Sequence, residues 1–248
     1  MKKIKLSSSK KISQSFFRFF SAVLITAILA IAHASASTFS DVDDSQIYST
    51  GINFLTQNGI VKGYGNGTFK PSNALNRAEL LKIIAEGSAK YSNQDSSIFA
   101  NYSGKKCFND VPANQWYTKY VCYAKENSWV IGYEKSKIFK PDQKITFVEA
   151  LKMTFKGFNL KFNETDSAPW YHDLVDQASA HNFIPFDMTG FSVNLRRDQM
   201  ADLATRIIKA NESLKSLNNY LGDRTDIVVT YETLKQGLDL SKLQVETK

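Results

Sequence analysis

The sequence is poor in the residues that build metal and catalytic centres. Its 248 residues include 2 cysteines and 3 histidines. Cys107 and Cys122 have no histidine nearby, so they cannot complete the four-ligand shell of a structural zinc. His172 and His181 lie nine apart on a helical stretch, which is not a zinc spacing. Asp41, Asp43 and Asp44 cluster, but a calcium loop needs glycine at its sixth place and glutamate at its twelfth, where Gln46 and Ile52 stand. No Ser, Cys or zinc constellation suited to catalysis is present. These absences predict a protein without cofactor or metal, and not an enzyme.

A long apolar run is also missing. The stretch from Phe19 to Ala32 is fourteen residues long, short of the ~20 that a spanning helix needs. It follows Lys2, Lys3, Lys5, Lys10, Lys11 and Arg18, with no acidic residue in positions 1–36, and it precedes the small-residue pattern Ala34-Ser35-Ala36. This order predicts a secretory signal peptide over 1–36, cleaved after Ala36 or alternatively after Ala34, rather than an uncleaved anchor. No cysteine follows the apolar stretch, which argues against a lipid-modified N-terminus.

Net charge is the third thing lacking, once the export signal is set aside. The whole chain has 31 basic and 24 acidic residues. Without the six cations of the signal, the balance falls to about +1. Nothing in that balance calls for nucleic acid or an anionic membrane as partner, and no membrane span is expected after cleavage. In an exported chain, Cys107 and Cys122 are expected to pair as a disulfide rather than remain two buried thiols.

What the sequence does contain is repetition. Phe39-Ser40-Asp41-Val42 recurs as Phe108-Asn109-Asp110-Val111, and more faintly as Phe162-Asn163-Glu164-Thr165. Gly63-Tyr64 recurs as Gly132-Tyr133, and Phe69-Lys70-Pro71 as Phe139-Lys140-Pro141. The distance from Phe39 to Tyr64 and from Phe108 to Tyr133 is 25 positions in both cases, a register that coincidence does not keep.

Each copy has an apolar stripe at helical spacing: Tyr48, Ile52 and Leu55; then Tyr117, Tyr120, Val121 and Ala124; then Tyr171, Leu174, Val175 and Ala178. A second helix follows in each. Asn76 and Glu79 form one capping-box pattern and Thr146 and Glu149 another, while the third copy keeps Gln199 but has Arg196 as a poor N-cap. The segment 87–106 shows no period and reads as loop. Asp41 and Asp110 read as helix caps and Trp116 as a core residue, the common uses of such residues.

The run Phe-x-Asp-Val, helix, Gly63-Tyr64-Gly65-Asn66-Gly67-Thr68-Phe69-Lys70-Pro71 and Leu75-Asn76-Arg77-Ala78-Glu79 resembles the S-layer homology repeat. The second copy is clear and supplies Trp116 before its first helix. The third keeps Trp170 and Arg197 but has Pro185-Phe186-Asp187-Met188-Thr189-Gly190 in place of the glycine-tyrosine loop.

The resemblance implies a mainly helical, all-α fold of three helix-loop-helix repeats around a pseudo-threefold axis. The expected divisions are 37–86 for repeat one, 87–106 for a linker, 107–160 for repeat two, 161–210 for a degenerate repeat three and 211–248 for a partly helical tail. The resemblance also implies grooves between repeats that bind a cell-wall glycan, often ending in a pyruvylated sugar. In those grooves Arg77 and Arg197 would meet the acid beside free helix-start N–H groups. Gly65 and Gly67 would let sugar approach, and Tyr64 and Trp116 would cover its apolar side. Because Phe147 replaces the arginine in copy two, that copy's groove is expected to have lost its charge contact, and the groove of Arg77 to be the principal one.

Two other functions compete. In the wall-binding reading the tail or outer surface is expected to bind another envelope protein; the first alternative is a protein–protein scaffold of the envelope that keeps the fold without the glycan. The other is a wall hydrolase, for which the 38 residues after Ala210 fall below the ~40 at which an unaided domain folds.

Overall fold

The computed structural model describes residues 39–133, 137–164 and 169–237. The signal-peptide expectation and the end of the tail lie outside them. Among the described residues the protein is mainly helical, with isolated bridges but no extended strand. Three short first helices, α1 (Ser49–Gln57), α3 (Thr118–Glu126) and α5 (His172–Ala180), are each followed by a longer partner: α2 (Arg77–Tyr91), α4 (Phe147–Gly157) and α6 (Arg197–Glu212). The tail adds α7 (Leu214–Leu221) and α8 (Tyr231–Gln236).

The apolar stripes bury as their spacing predicts. Ile52 and Leu55 are buried on α1, Tyr120, Val121 and Ala124 on α3, and Leu174, Val175 and Ala178 on α5. Of the tyrosines that begin the stripes, each an N-cap, Tyr48 is buried while Tyr117 and Tyr171 are half-buried. The second helices contribute Leu80 and Ile84, Leu151 and Phe155, and Leu203 and Ile207 to the same core. A single helix pair has one face to hide and no partner for it, so all three pairs share one cluster.

The pairs are locked by a cyclic exchange of backbone hydrogen bonds. Leu75 N–H donates to Leu195 O (2.9 Å), Leu195 N–H to Ile145 O (3.0 Å), and Ile145 N–H to Leu75 O (3.2 Å). Each of these residues directly precedes the N-cap of a second helix, and all three side chains are fully buried. One step outward, each helix start gives its first N–H groups to the loop of the next pair. Arg77 and Ala78 donate to Gln143 O and Pro141 O, both at 3.0 Å. Phe147 and Val148 donate to Val193 O (2.8 Å) and Phe191 O (3.2 Å), and Arg197 and Asp198 to Asn73 O (2.9 Å) and Pro71 O (3.0 Å). A helix start leaves its first N–H groups without intrahelical partners. Here the neighbouring loop takes them, so the free donors expected for a ligand at these helix starts are already used.

The capping boxes form where the sequence put them. Asn76 Oδ1 accepts from Glu79 N–H (2.8 Å) and Glu79 Oε2 from Asn76 N–H (2.9 Å). Glu149 Oε2 accepts from Thr146 N–H (3.1 Å) and Oγ1–H (3.0 Å). Gln199 Oε1 accepts from Arg196 N–H at 3.1 Å.

Asp41 and Asp110 are structural but do not cap helices. The Asp41 carboxylate accepts from the N–H groups of Phe69 (2.7 Å) and Lys70 (2.8 Å), and that of Asp110 from Phe139 and Lys140, both at 2.7 Å. They clasp the turn before each proline, where Lys70 and Lys140 sit at φ 59°, a left-handed conformation that costs a non-glycine residue about 1–2 kcal/mol.

The segment 87–106 differs from its expectation as a loop. α2 continues through Tyr91, and Ser96–Tyr102 forms a 3₁₀ helix that buries Phe99 and Tyr102. Tyr123 meets both rings edge-on, so aromatic packing rather than helical periodicity orders the segment. The Cys107–Cys122 disulfide is present and ties the end of this segment to α3.

Candidate inter-repeat grooves

Two concave sites share one frame. The first, of about 220 Å³, is lined by the loop after α1 (Lys62, Gly63, Tyr64), by Glu79, Lys82 and Ile83 of α2, by Trp116 ahead of α3, and by Arg197 at the start of α6. The second, of about 340 Å³, repeats the pattern one pair further on with Gly132 and Tyr133, then Glu149, Lys152 and Met153 of α4, then Trp170, and Arg77 from α2. Each groove therefore draws on three helix pairs, not one.

This assignment corrects two expectations. Arg77 does not serve the loop of Tyr64: its Nε–H donates to Phe139 O at 2.9 Å, and its guanidinium carbon lies 5.4 Å from the Tyr133 ring centre. The Tyr64 loop takes its arginine from the third pair. Arg197 Nε–H donates to Phe69 O at 2.8 Å, with the guanidinium 4.9 Å from Tyr64. Phe147 likewise faces the loop of the third pair, so the junction that loses its arginine is the third, not the groove of copy two.

Both arginines are almost fully buried, at 5 % exposure for Arg77 and 7 % for Arg197. Burial draws the Arg77 pKa below the usual guanidinium value, against the opposing pull of Tyr133, Glu149 and Asp110. Each cation reaches its groove while fixing a loop carbonyl.

The aromatic residues divide differently from expectation. Tyr64 is already engaged by Lys70 Nζ, 4.3 Å from its ring centre, and by Arg197. Trp116 and Trp170 are the open faces, 51 % and 37 % exposed. Each sits edge-on to the tyrosine that follows it, which braces the indole without covering it.

Gly65 and Gly67 line neither cavity; Gly67 holds a turn at φ 77°, its N–H donating to Tyr64 O at 3.0 Å. The glycines that face the grooves are Gly63 and Gly132. A Cβ on Gly63 would meet the Phe39 ring and come within 2.6 Å of Thr68 O, and one on Gly132 would meet the Phe108 ring and come within 2.8 Å of Ile138 O.

Lys82 and Lys152 escaped the sequence reading. Each lies three residues after its box glutamate, a signal visible once the copies are aligned. Lys82 Nζ is 5.9 Å from the Trp116 ring centre and Lys152 Nζ 5.1 Å from that of Trp170. Burial lowers the pKa of Lys82; Glu86 opposes this, while Lys62, Lys119 and Arg197 add to it as further cations. The arrangement sets a lysine and an arginine beside an exposed indole, two cations next to an aromatic face.

The third junction carries different side chains. Phe147 replaces the arginine, Asp202 the lysine and Ile47 the tryptophan. Arg196 pairs with Asp187 (2.6 Å) and Asp198 (3.0 Å), and Tyr48 O–H donates to Asp187. Asp202 pairs with Arg206 at 2.7 Å, both fully buried, and accepts from Tyr220 O–H at 2.7 Å. The tail covers this side: Leu217 and Leu221 are buried, and Arg224 donates to Ile47 O at 3.3 Å. Through Gly237 the tail packs on the bundle. Among the described residues no group of acidic, histidine or cysteine side chains could hold a metal ion, and no helix is long and apolar enough to cross a membrane.

Residues 38–81 and 108–151 match the S-layer homology domain. Over 200 residues the chain is 24 % identical to the middle cell wall protein of Brevibacillus brevis, an alignment covering 80 % of this chain and 18 % of that protein. It is 25 % identical over 244 residues to the surface-layer 125 kDa protein of Lysinibacillus sphaericus (87 % and 20 %). It is 23 % identical over 158 residues to the cellulosome-anchoring protein of Acetivibrio thermocellus (60 % and 34 %). The chain thus spans about a fifth of the length of the first two of these relatives and a third of the last.

Proposed function

We propose that this chain, which carries S-layer homology repeats, is an exported, non-catalytic protein of the cell wall or cell surface. It binds a cell-wall polymer through its inter-repeat grooves, with an acidic sugar, of which a pyruvylated one is an example, seated in the groove of Trp116, Lys82 and Arg197. The observation that carries this reading is the pairing of a half-exposed indole with a semi-buried lysine and a fixed guanidinium. Sugars stack on aromatic faces, and a carboxylate gains most from cations already stripped of water. The names of its relatives, which are wall, surface-layer and anchoring proteins, agree with that role.

Co-sedimentation of the purified protein with cell-wall sacculi tests it. Wild type should pellet, while Trp116→Ala and Lys82→Gln variants with unchanged melting temperature should stay soluble. A wild type that stays soluble refutes wall binding. The third junction, with its replaced groove residues, ion pairs and packed tail, favours a second reading in which the bundle scaffolds other envelope proteins. Capture of an envelope protein by both the wild type and the Trp116→Ala variant would support that reading.

A further inference from the structure

The two grooves differ in one carboxylate. The first is lined by Lys62, Lys82 and Arg197 against Glu79; the second has Arg77, Lys152 and Lys156 against Glu149 and Glu164. Glu79 and Glu149 are both committed to their capping boxes. Glu164 is not: its Oε2 lies 2.9 Å from Lys152 Nζ and its Oε1 2.7 Å from Lys156 Nζ. It is 51 % exposed and holds the lysine that stands beside Trp170.

Its origin is legible in the repeat. Glu164 precedes Trp170 by the six positions that separate Asp110 from Trp116. Asp110 is occupied within its own pair, accepting from Phe139 and Lys140 N–H. The third pair has Thr189-Gly190 where the second has Phe139-Lys140, as the matching hydrogen bonds of Val148 to Phe191 O and Ala78 to Pro141 O establish. The clasp is gone, the acid is one methylene longer, and it turns to the lysines of α4. Asn163 N–H, next to it, donates instead to Asp173 at 2.6 Å. In the first groove the place of Lys156 is taken by Glu86, which accepts from Tyr120 O–H at 2.6 Å and does not line the cavity.

Resting on the wall-polymer reading above, we propose that Glu164 is a tethered carboxylate that fills the acid-accepting position of the second groove, so that this groove takes uncharged sugar units while the first takes the acidic one. An incoming carboxylate at Trp170 meets a like charge already paired with both lysines, and like charges facing each other across a site oppose binding. The polymer is then read in two chemically distinct places, an acidic unit at Trp116 and a neutral unit at Trp170. Both lysines keep their salt bridges meanwhile, which stabilises the empty groove.

The test is nitrogen-proton correlation NMR of the full protein, following the indole N–H signals of Trp116 and Trp170. The probes are a pyruvylated N-acetylhexosamine glycoside and its unpyruvylated counterpart. In wild type the acidic probe should shift Trp116 and leave Trp170 in place at the same concentration, and the neutral probe should shift Trp170. Glu164→Gln should make Trp170 respond to the acidic probe, a gain of roughly tenfold or more in apparent affinity, with Trp116 unchanged. Glu164→Ala serves as the second variant. If the acidic probe shifts Trp116 but Trp170 stays unresponsive in both variants, or if wild-type Trp170 responds to the acidic probe as strongly as Trp116, the tethered-carboxylate proposal is overturned and the wall-polymer reading stands. A pair of probes that shift neither indole in any protein overturns the binding reading itself, and this inference with it.

Discussion

Arg197 donates its Nε–H to the carbonyl of Phe69, a residue 128 positions earlier in the chain, at 2.8 Å. The third helix pair is thereby joined to the first, and one side chain serves both ring closure and groove. Arg197→Ala should consequently do two things. It should leave a buried carbonyl unsatisfied, costing about 1–3 kcal/mol in denaturant unfolding, and it should abolish sacculus binding. Arg197→Lys should keep the positive charge without the forked geometry, so its binding should fall between wild type and Arg197→Ala.

Trp116 should separate stability from function. Its side chain is half exposed, and removing it leaves no core cavity. Trp116→Ala should shift unfolding by no more than about 0.5 kcal/mol while pelleting with sacculi is lost. A large drop in melting temperature would place Trp116 in the core after all.

Asp41 should give the fold an acid limit. Burial pushes its carboxyl up, but the N–H groups of Phe69 and Lys70 outweigh that and hold it below the usual aspartate range. A depressed folded pKa contributes stability that is complete above the unfolded value and is lost as pH falls through the folded one. Thermal melts of wild type should fall over that acidic window more steeply than those of Asp41→Asn. At neutral pH the variant should already be less stable, because an amide accepts those bonds more weakly than a carboxylate.

Much of this was legible in the sequence, and what was not depends on contacts between residues far apart along the chain or on packing without a period. The stripes on α1, α3 and α5 and the boxes at Asn76/Glu79 and Thr146/Glu149 are local patterns, fixed within a turn or two of helix. The disulfide followed from compartment and spacing. One kind of feature that sequence does not show is a residue acting on a different helix pair from its own. Arg77 serves Tyr133 and Arg197 serves Tyr64, an offset of one pair that no spacing announces. Asp41 and Asp110 act within their own pairs, but their partners lie 28 to 30 positions away, beyond the reach of a local pattern. The 3₁₀ helix at Ser96–Tyr102 lacks a period to read, because two aromatic residues packed on Tyr123 suffice to order it.

Reduction of Cys107–Cys122 should weaken the second pair in particular. The bridge spans 15 positions, and closing a loop of that length is worth about 3 kcal/mol on the chain-entropy account. Calorimetry with and without reductant should show a lower melting temperature in the reduced protein. The Cys107→Ala/Cys122→Ala double variant should match it and show no response to reductant.

The buried pair at the third junction tests how the tail is held. Asp202 and Arg206 are fully buried, joined at 2.7 Å, with Arg206 also donating to the carbonyls of Asn182 (3.1 Å) and Ile184 (3.0 Å). Tyr220 of the tail reaches the same carboxylate, and burial with the Asp202 charge drives its hydroxyl pKa well up, so it stays a donor. Removing one partner strands the other charge in the core, so Arg206→Met should cost about 3–5 kcal/mol. Replacing both, as Asp202→Leu with Arg206→Met, should recover most of that, because two apolar groups leave no charge to solvate. The double variant removes the acceptor of Tyr220 as well, so proteolysis should then cut within 211–237 faster than in wild type. Equal protection in the two proteins would assign the tail's attachment to its other contacts, the buried Leu217, Leu221, Val229 and Leu234 and the Arg224 bond to Ile47 O.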